Sequence, residues 1–211
     1  MTEQTKKSAK KKYFDNVSVG GRTKQVVYMV EKHDKTAMLG EYIKNNKTQK
    51  AVIITNTKRS ADELSLYLKN HDIKALAIHG NHRVEQIKEA SRAFNSFEID
   101  IIISTDMILK SLELDNIQVI INYDLPIQLQ EYFVRLAHVD EVGKSISFVS
   151  QDEEKTLYGI ELMMKLEIQQ HQIENFEHTI LSQDKKPQKD KKNKPRHRKQ
   201  KQKTQDKSKE K

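Results

Sequence analysis

The residues best suited to chemistry in this sequence are donors for phosphate. Between Gln183 and Lys211 stand 14 Lys or Arg against 4 Asp or Glu, with Arg196 and Arg198 flanking His197. Such a run either grips a polyanion backbone without reading sequence or serves as a solvated, solubilising end. No Phe, Tyr or Trp follows Phe176, so this stretch offers no ring for stacking. Two further positions follow short apolar runs: the Asn56-Thr57-Lys58 turn and Thr105. A hydroxyl and exposed backbone N–H groups at such turns suit phosphate oxygens. Thr105 is equally suited to cap a following short helix.

Other chemistries find little support. Gly143-Lys144-Ser145 reads like the end of a phosphate-binding loop, but the glycine required five residues earlier is His138, and a strand follows rather than a helix. His79, His82 and His138 have no second ligand set at metal spacing. With no Cys, disulfides and thiolate metal sites are excluded. Arg135 reads as a phosphate contact, as a helix-surface residue or as the i+4 partner of Glu131. Met163 and Met164 read as core filler.

These residues need a scaffold, and the middle of the chain supplies one. Strands are predicted at Lys24–Met29, Ala51–Thr55, Ala75–His79, Asp100–Ser104, Val119–Tyr123 and Ser145–Ser150. Between them lie amphipathic stretches at Thr36–Asn45, Ser60–Asn70, Val84–Phe94, Ile127–Ala137 and Glu153–Lys165, with Ser60 and Glu63 spaced as a capping box. Runs such as AVIIT and DIIIS, with unbroken apolar centres, belong in strands buried on both faces. The alternation predicts an α/β fold, a parallel sheet with helices on both faces. Ligands of such sheets sit at the carboxyl ends of the strands, here Asn56–Arg59, His79–Arg83, Thr105–Asp106 and Asp124–Pro126. The expected division is a basic flexible leader over 1–22 with a turn at Gly20–Gly21, one domain over 23–170, an extension over 171–182 and a disordered Lys/Arg-rich tail over 183–211. The whole chain carries a net charge of +8, yet Tyr13–Ser182 holds 19 basic and 25 acidic residues, so the cations sit at the ends. No apolar run approaches the roughly 18 residues of a membrane span, and no apolar segment follows the N-terminal lysines as in a secretory signal. A cytoplasmic location and no membrane partner are expected.

Several strand-end segments, in order, resemble the C-terminal RecA-like domain of DEAD-box RNA helicases, a fold of the P-loop NTPase type. AVIITNTKRSADEL (Ala51–Leu64) is similar to motif IV, AIHG (Ala77–Gly80) with Phe94 to the next unit, DIIISTD (Asp100–Asp106) to the start of motif V, and VIINYDLP (Val119–Pro126) to the approach to motif VI. The resemblance implies contacts to the RNA backbone at Asn56, Thr57, Lys58, Gly80 and Thr105, joined by Arg196 and Arg198 of the tail. It also implies vestigial ATP contacts at Lys110, Glu113, Arg135 and His138. The departures are specific. Where the family reads TDVAARGLDI this chain has TDMILKSLEL, with Lys110 for an arginine, Ser111 for a glycine and Glu113 for the ribose-contacting aspartate. Where it reads HRIGRTGR, Val134–Glu141 reads VRLAHVDE, keeping Arg135 but placing His138 and Glu141 at the later arginines. Val84 and Ile87 replace a Gln and an Arg. An arginine finger is worth roughly 10³–10⁵ in rate on phosphoryl transfer, and neither His nor Glu replaces its planar cation. Neither the family's phosphate-binding loop nor its Asp-Glu-Ala-Asp motif occurs in these residues. The expectation is an RNA-binding protein with no catalytic residue, no metal and no cofactor of its own. ATP and Mg²⁺ enter only with a separate N-terminal helicase domain. Two alternatives are a subunit of a split helicase and a protein-interaction module tethered to RNA or ribosomes by its tail; a third is a decaying fragment.

Overall fold

The computed structural model describes residues 15–46 and 50–173, together with 176 and 179. Along the chain these form α1 (Asn16–Arg22), β1 (Lys24–Met29), α2 (Lys35–Asn45), β2 (Ala51–Ile54), α3 (Lys58–Asn70), β3 (Leu76–Ile78), α4 (Val84–Asn95), β4 (Ile101–Ser104), α5 (Asp106–Leu109), β5 (Val119–Asn122), α6 (Leu129–Ala137), β6 (Lys144–Val149), a single tight turn (Gln151–Glu153), α7 (Glu154–Met164) and β7 (Gln169–His171). The strands make one seven-stranded sheet in the order β3-β4-β2-β5-β6-β1-β7, and every pairing is parallel. The α/β architecture, a parallel sheet with helices on both faces, is therefore as expected.

Strand side chains alternate between the two faces, and the core divides accordingly. Ala51 and Ile53 of β2 join Ile101, Ile103, Val119 and Ile121 beneath α2 and α3. Val52 and Ile54 join Ile102 and Ile120 beneath α4 and α5, where Ala90, Phe94, Ile108 and Leu109 pack. On the same side, α1, α6 and α7 cover Val27 and Val149 with Val19, Phe133, Leu136, Leu157 and Ile160. Four consecutive buried residues in each of β2, β4 and β5 explain why these runs are apolar up to the closing Ser104 and Asn122.

Three expectations need correcting. Residues 16–22 are helix α1, not a loose leader: Asp15 accepts hydrogen bonds from Val17 N and Ser18 N at its start. Gly20 is in that helix because a Cβ there would stand 2.7 Å from Met164 Sδ. The cap of α3 is Thr57, whose Oγ1 accepts from Ser60 N at 3.0 Å, so the helix begins at Lys58 and the proposed cap Ser60 lies inside it. Finally, β7 extends the sheet beyond β1 through three exposed residues that showed no apolar run. The tail 183–211, with Arg196 and Arg198, lies outside the described residues.

Candidate phosphate-binding rim

The sheet order places four chosen turns side by side. β3, β4, β2 and β5 are neighbours, so Gly80, Thr105, Asn56-Thr57-Lys58 and Asp124 stand on one continuous edge at the strands' carboxyl ends. Lys58 crosses from the β2 turn to the β3 turn and donates to Asn81 Oδ1 at 2.7 Å. Gly80 gives its stem room: a Cβ there would lie 3.3 Å from Lys58 Cε. Thr105 caps nothing with its side chain; its carbonyl oxygen accepts from Ile108 N and Leu109 N. The hydroxyl thus has no partner among the described residues, and the capping alternative fails.

Asn56 has a different role from the one expected. Its N–H donates to Asp124 Oδ2 at 2.9 Å and its side-chain Nδ2 donates to Leu125 O at 2.9 Å. Both bonds tie the β2 turn to the β5 turn, so Asn56 positions the rim with its backbone N–H and one of its two amide hydrogens. Burial pushes the Asp124 carboxyl up, with the Asn56 N–H and the Lys35 ammonium opposing. Lys35 itself donates to Tyr123 O at 3.0 Å and pairs with Glu153. Burial also pushes the Glu153 carboxyl up, but Lys35 and the Ser150 N–H and hydroxyl overcome it and leave it below the usual range. A second Glu153 oxygen accepts from Leu125 N at 3.0 Å. The rim is thus held from beneath by carboxylates of the chain itself.

The residues aligned with ATP contacts have intramolecular partners instead. Arg135 is fully buried, so it is neither a surface residue nor the partner of Glu131. Its Nε and Nη2 donate to the two Asp106 oxygens at 2.6 and 2.7 Å, and its Nη1 donates to Asn122 Oδ1 at 2.9 Å and Asp124 O at 2.8 Å. A guanidinium so enclosed has no reach outward, which removes Arg135 as a phosphate contact in this arrangement. Glu131 pairs with Lys110 at 2.8 Å. His138 closes α6, its Nδ1 lying 2.8 Å from Val134 O. Glu113 sits in an exposed loop, its backbone carbonyl accepting from Asn95 Nδ2 at 2.9 Å. Lys110 and Arg135 thus both bridge α5 and α6.

Sequence reasoning missed the support beneath. Asn122 Nδ2 donates to Ser145 Oγ at 3.0 Å and Ser147 Oγ at 2.9 Å, and Tyr132 Oη donates to Gln25 Oε1 at 2.8 Å. The available signal was an asparagine ending an apolar run and serines alternating in SISFVS. No group of three or more His, Cys, Asp or Glu among the described residues could hold a metal ion, and no helix there is long and apolar enough to cross a membrane.

Residues 34–143, just over half of the chain, match the family described as helicase conserved C-terminal domain. The chain belongs to this family. Among its relatives, DEAD-box ATP-dependent RNA helicase RhpA of Helicobacter pylori is 26% identical over 152 residues, 71% of this chain and 31% of that protein. Eukaryotic initiation factor 4A of Dictyostelium discoideum is 28% identical over 170 residues, 79% of this chain and 42% of that protein. The crystal structure of a DEAD box protein from Methanococcus jannaschii is 29% identical, with a TM-score of 0.68 over 73% of this chain and 43% of that one. This helicase C-terminal domain therefore spans well under half the length of these relatives, and its fold is that of the C-terminal RecA-like domain of DEAD-box helicases.

Proposed function

We propose that this helicase C-terminal domain is an RNA-binding protein that, as these residues alone, neither hydrolyses ATP nor unwinds RNA. The observation that carries the reading is the sheet order, which gathers Thr57, Lys58, Gly80 and Thr105 on one edge. That edge offers an ammonium, a free hydroxyl and the first N–H groups of α3, which favour phosphate through the helix dipole. The cationic run Gln183–Lys211 would add affinity without sequence preference.

The inactivity follows from what ATP chemistry requires. Phosphoryl transfer needs a cradle for the phosphates, a held Mg²⁺ and a cation on the developing charge. A phosphate-binding loop and an Asp-Glu-Ala-Asp sequence do not occur in these residues. Lys110 is spent on Glu131, and Arg135 on Asp106. ATP and Mg²⁺ would enter only through a separate helicase N-terminal domain. The test is an RNA-stimulated ATPase assay on the purified chain beside a filter-binding titration with oligo(U). Binding without turnover is expected, and robust turnover refutes the reading.

A further inference from the structure

Between α4 and the loop Ser111–Asp115 runs a groove of about 1020 Å³. Hydrogen bonds fix its walls. Asn95 Nδ2 donates to Glu113 O at 2.9 Å, and Asn95 Oδ1 accepts from Asp115 N at 2.9 Å. Ser91 Oγ accepts from Glu113 N at 3.3 Å. One asparagine thus clamps both polar groups of the loop's backbone to the helix, so the groove exists before any partner arrives, which lowers the ordering cost of binding.

Apolar side chains stand among the polar ones along its lining. Val84, in the first turn of α4, is 61% exposed, while Ile87 and Leu114 are only partly covered by the core beneath them. The two walls carry opposite charge. Lys88 stands on the helix side, and Glu113 and Asp115 stand on the loop side. None of these three joins an ion pair within 4 Å among the described residues, whereas the neighbouring Arg92 is held by Glu89 and Glu98.

We propose that this groove docks a short segment of a partner protein. The segment inserts a bulky apolar side chain between Ile87 and Leu114, sets a carboxylate against Lys88 and sets a cation against Glu113 and Asp115. A nucleic acid fits badly, because the acidic wall repels phosphate. The site uses none of the residues assigned to RNA.

The test uses two fluorescein-labelled hexapeptides on the full chain. One has central leucine and phenylalanine with two aspartates at its start and two lysines at its end; the other has the ends exchanged. Fluorescence anisotropy is expected to rise saturably with one of them. Val84→Glu, Lys88→Glu and Glu113→Lys, all at exposed positions, are each expected to weaken that binding about tenfold, while oligo(U) leaves it in place. The proposal is overturned if neither peptide saturates up to millimolar concentration, if the folded variants bind like the wild type, or if oligo(U) displaces the peptide competitively.

Discussion

Arg135 grips Asp106 through two parallel N–H···O bonds of 2.6 and 2.7 Å, with its own side chain wholly out of solvent. This pair ties α6 to the first residue of α5, and Asn122 continues it into the sheet. Removing Arg135 leaves the half-buried Asp106 carboxylate and the buried Asn122 Oδ1 without their donors and empties a buried site, at about 3 kcal/mol. Arg135→Ala is therefore expected to lower the urea unfolding free energy by that amount at pH 7. Arg135→Lys, which keeps the charge but loses the fork, should fall between the two. A loss of less than about 1 kcal/mol for the alanine variant would remove the structural role assigned to this residue.

Why Arg135 was misread illustrates what sequence spacing reveals. Its partner lies 29 residues away, and helical spacing points only to Glu131. The apolar runs of β2, β4 and β5, by contrast, announce themselves because every side chain is buried. β7 is silent because Gln169, Gln170 and His171 are all exposed and exist as a strand only through pairing with β1. Gly20–Gly21 looks like a turn by composition, yet Gly20 serves close packing against Met164. On the rim, the strand-end positions were legible from topology, whereas the internal bonds that engage Asn56 depend on the β5 turn folding against β2.

Glu153 gives the fold a dependence on pH. Its carboxylate accepts from Leu125 N, Ser150 N and Ser150 Oγ and pairs with Lys35, and its folded value lies below the ordinary 4.5. A group depressed on folding contributes stability above its unfolded value and loses it as the pH falls through the folded one. Glu153→Gln should cost about 2 kcal/mol at pH 7, with the gap to wild type shrinking below about pH 4.5. Thermal unfolding of both proteins between pH 3 and 7 measures this, and a gap independent of pH would contradict it.

Lys58 separates RNA binding from stability. Its ammonium is exposed and bonds only to Asn81 among the described residues. Lys58→Ala should leave the unfolding midpoint within about 0.5 kcal/mol of wild type. If the rim engages phosphate, the same change should weaken oligo(U) binding and reduce the slope of log affinity against log salt by about 1. Thr57→Ala provides the opposite control: losing the α3 cap costs about 1 kcal/mol. Lys58→Ala with unaltered RNA affinity would exclude the rim as a contact surface.

The cationic end and the rim make separable contributions to affinity. With 14 Lys or Arg between Gln183 and Lys211, engagement of about 6–10 phosphates should make full-chain affinity fall about 10³–10⁵-fold between 50 and 200 mM salt. No aromatic residue lies in that stretch, so uridine and adenosine oligomers should bind alike. Deleting 183–211 should remove most of the affinity and most of the salt slope, leaving a weaker binding that Lys58→Ala then reduces further. Two results would each force a revision. If the truncated chain binds RNA as tightly as the full one at 50 mM salt, the cationic run is only a solubilising end. If truncation leaves nothing for Lys58→Ala to remove, the folded domain does not touch RNA.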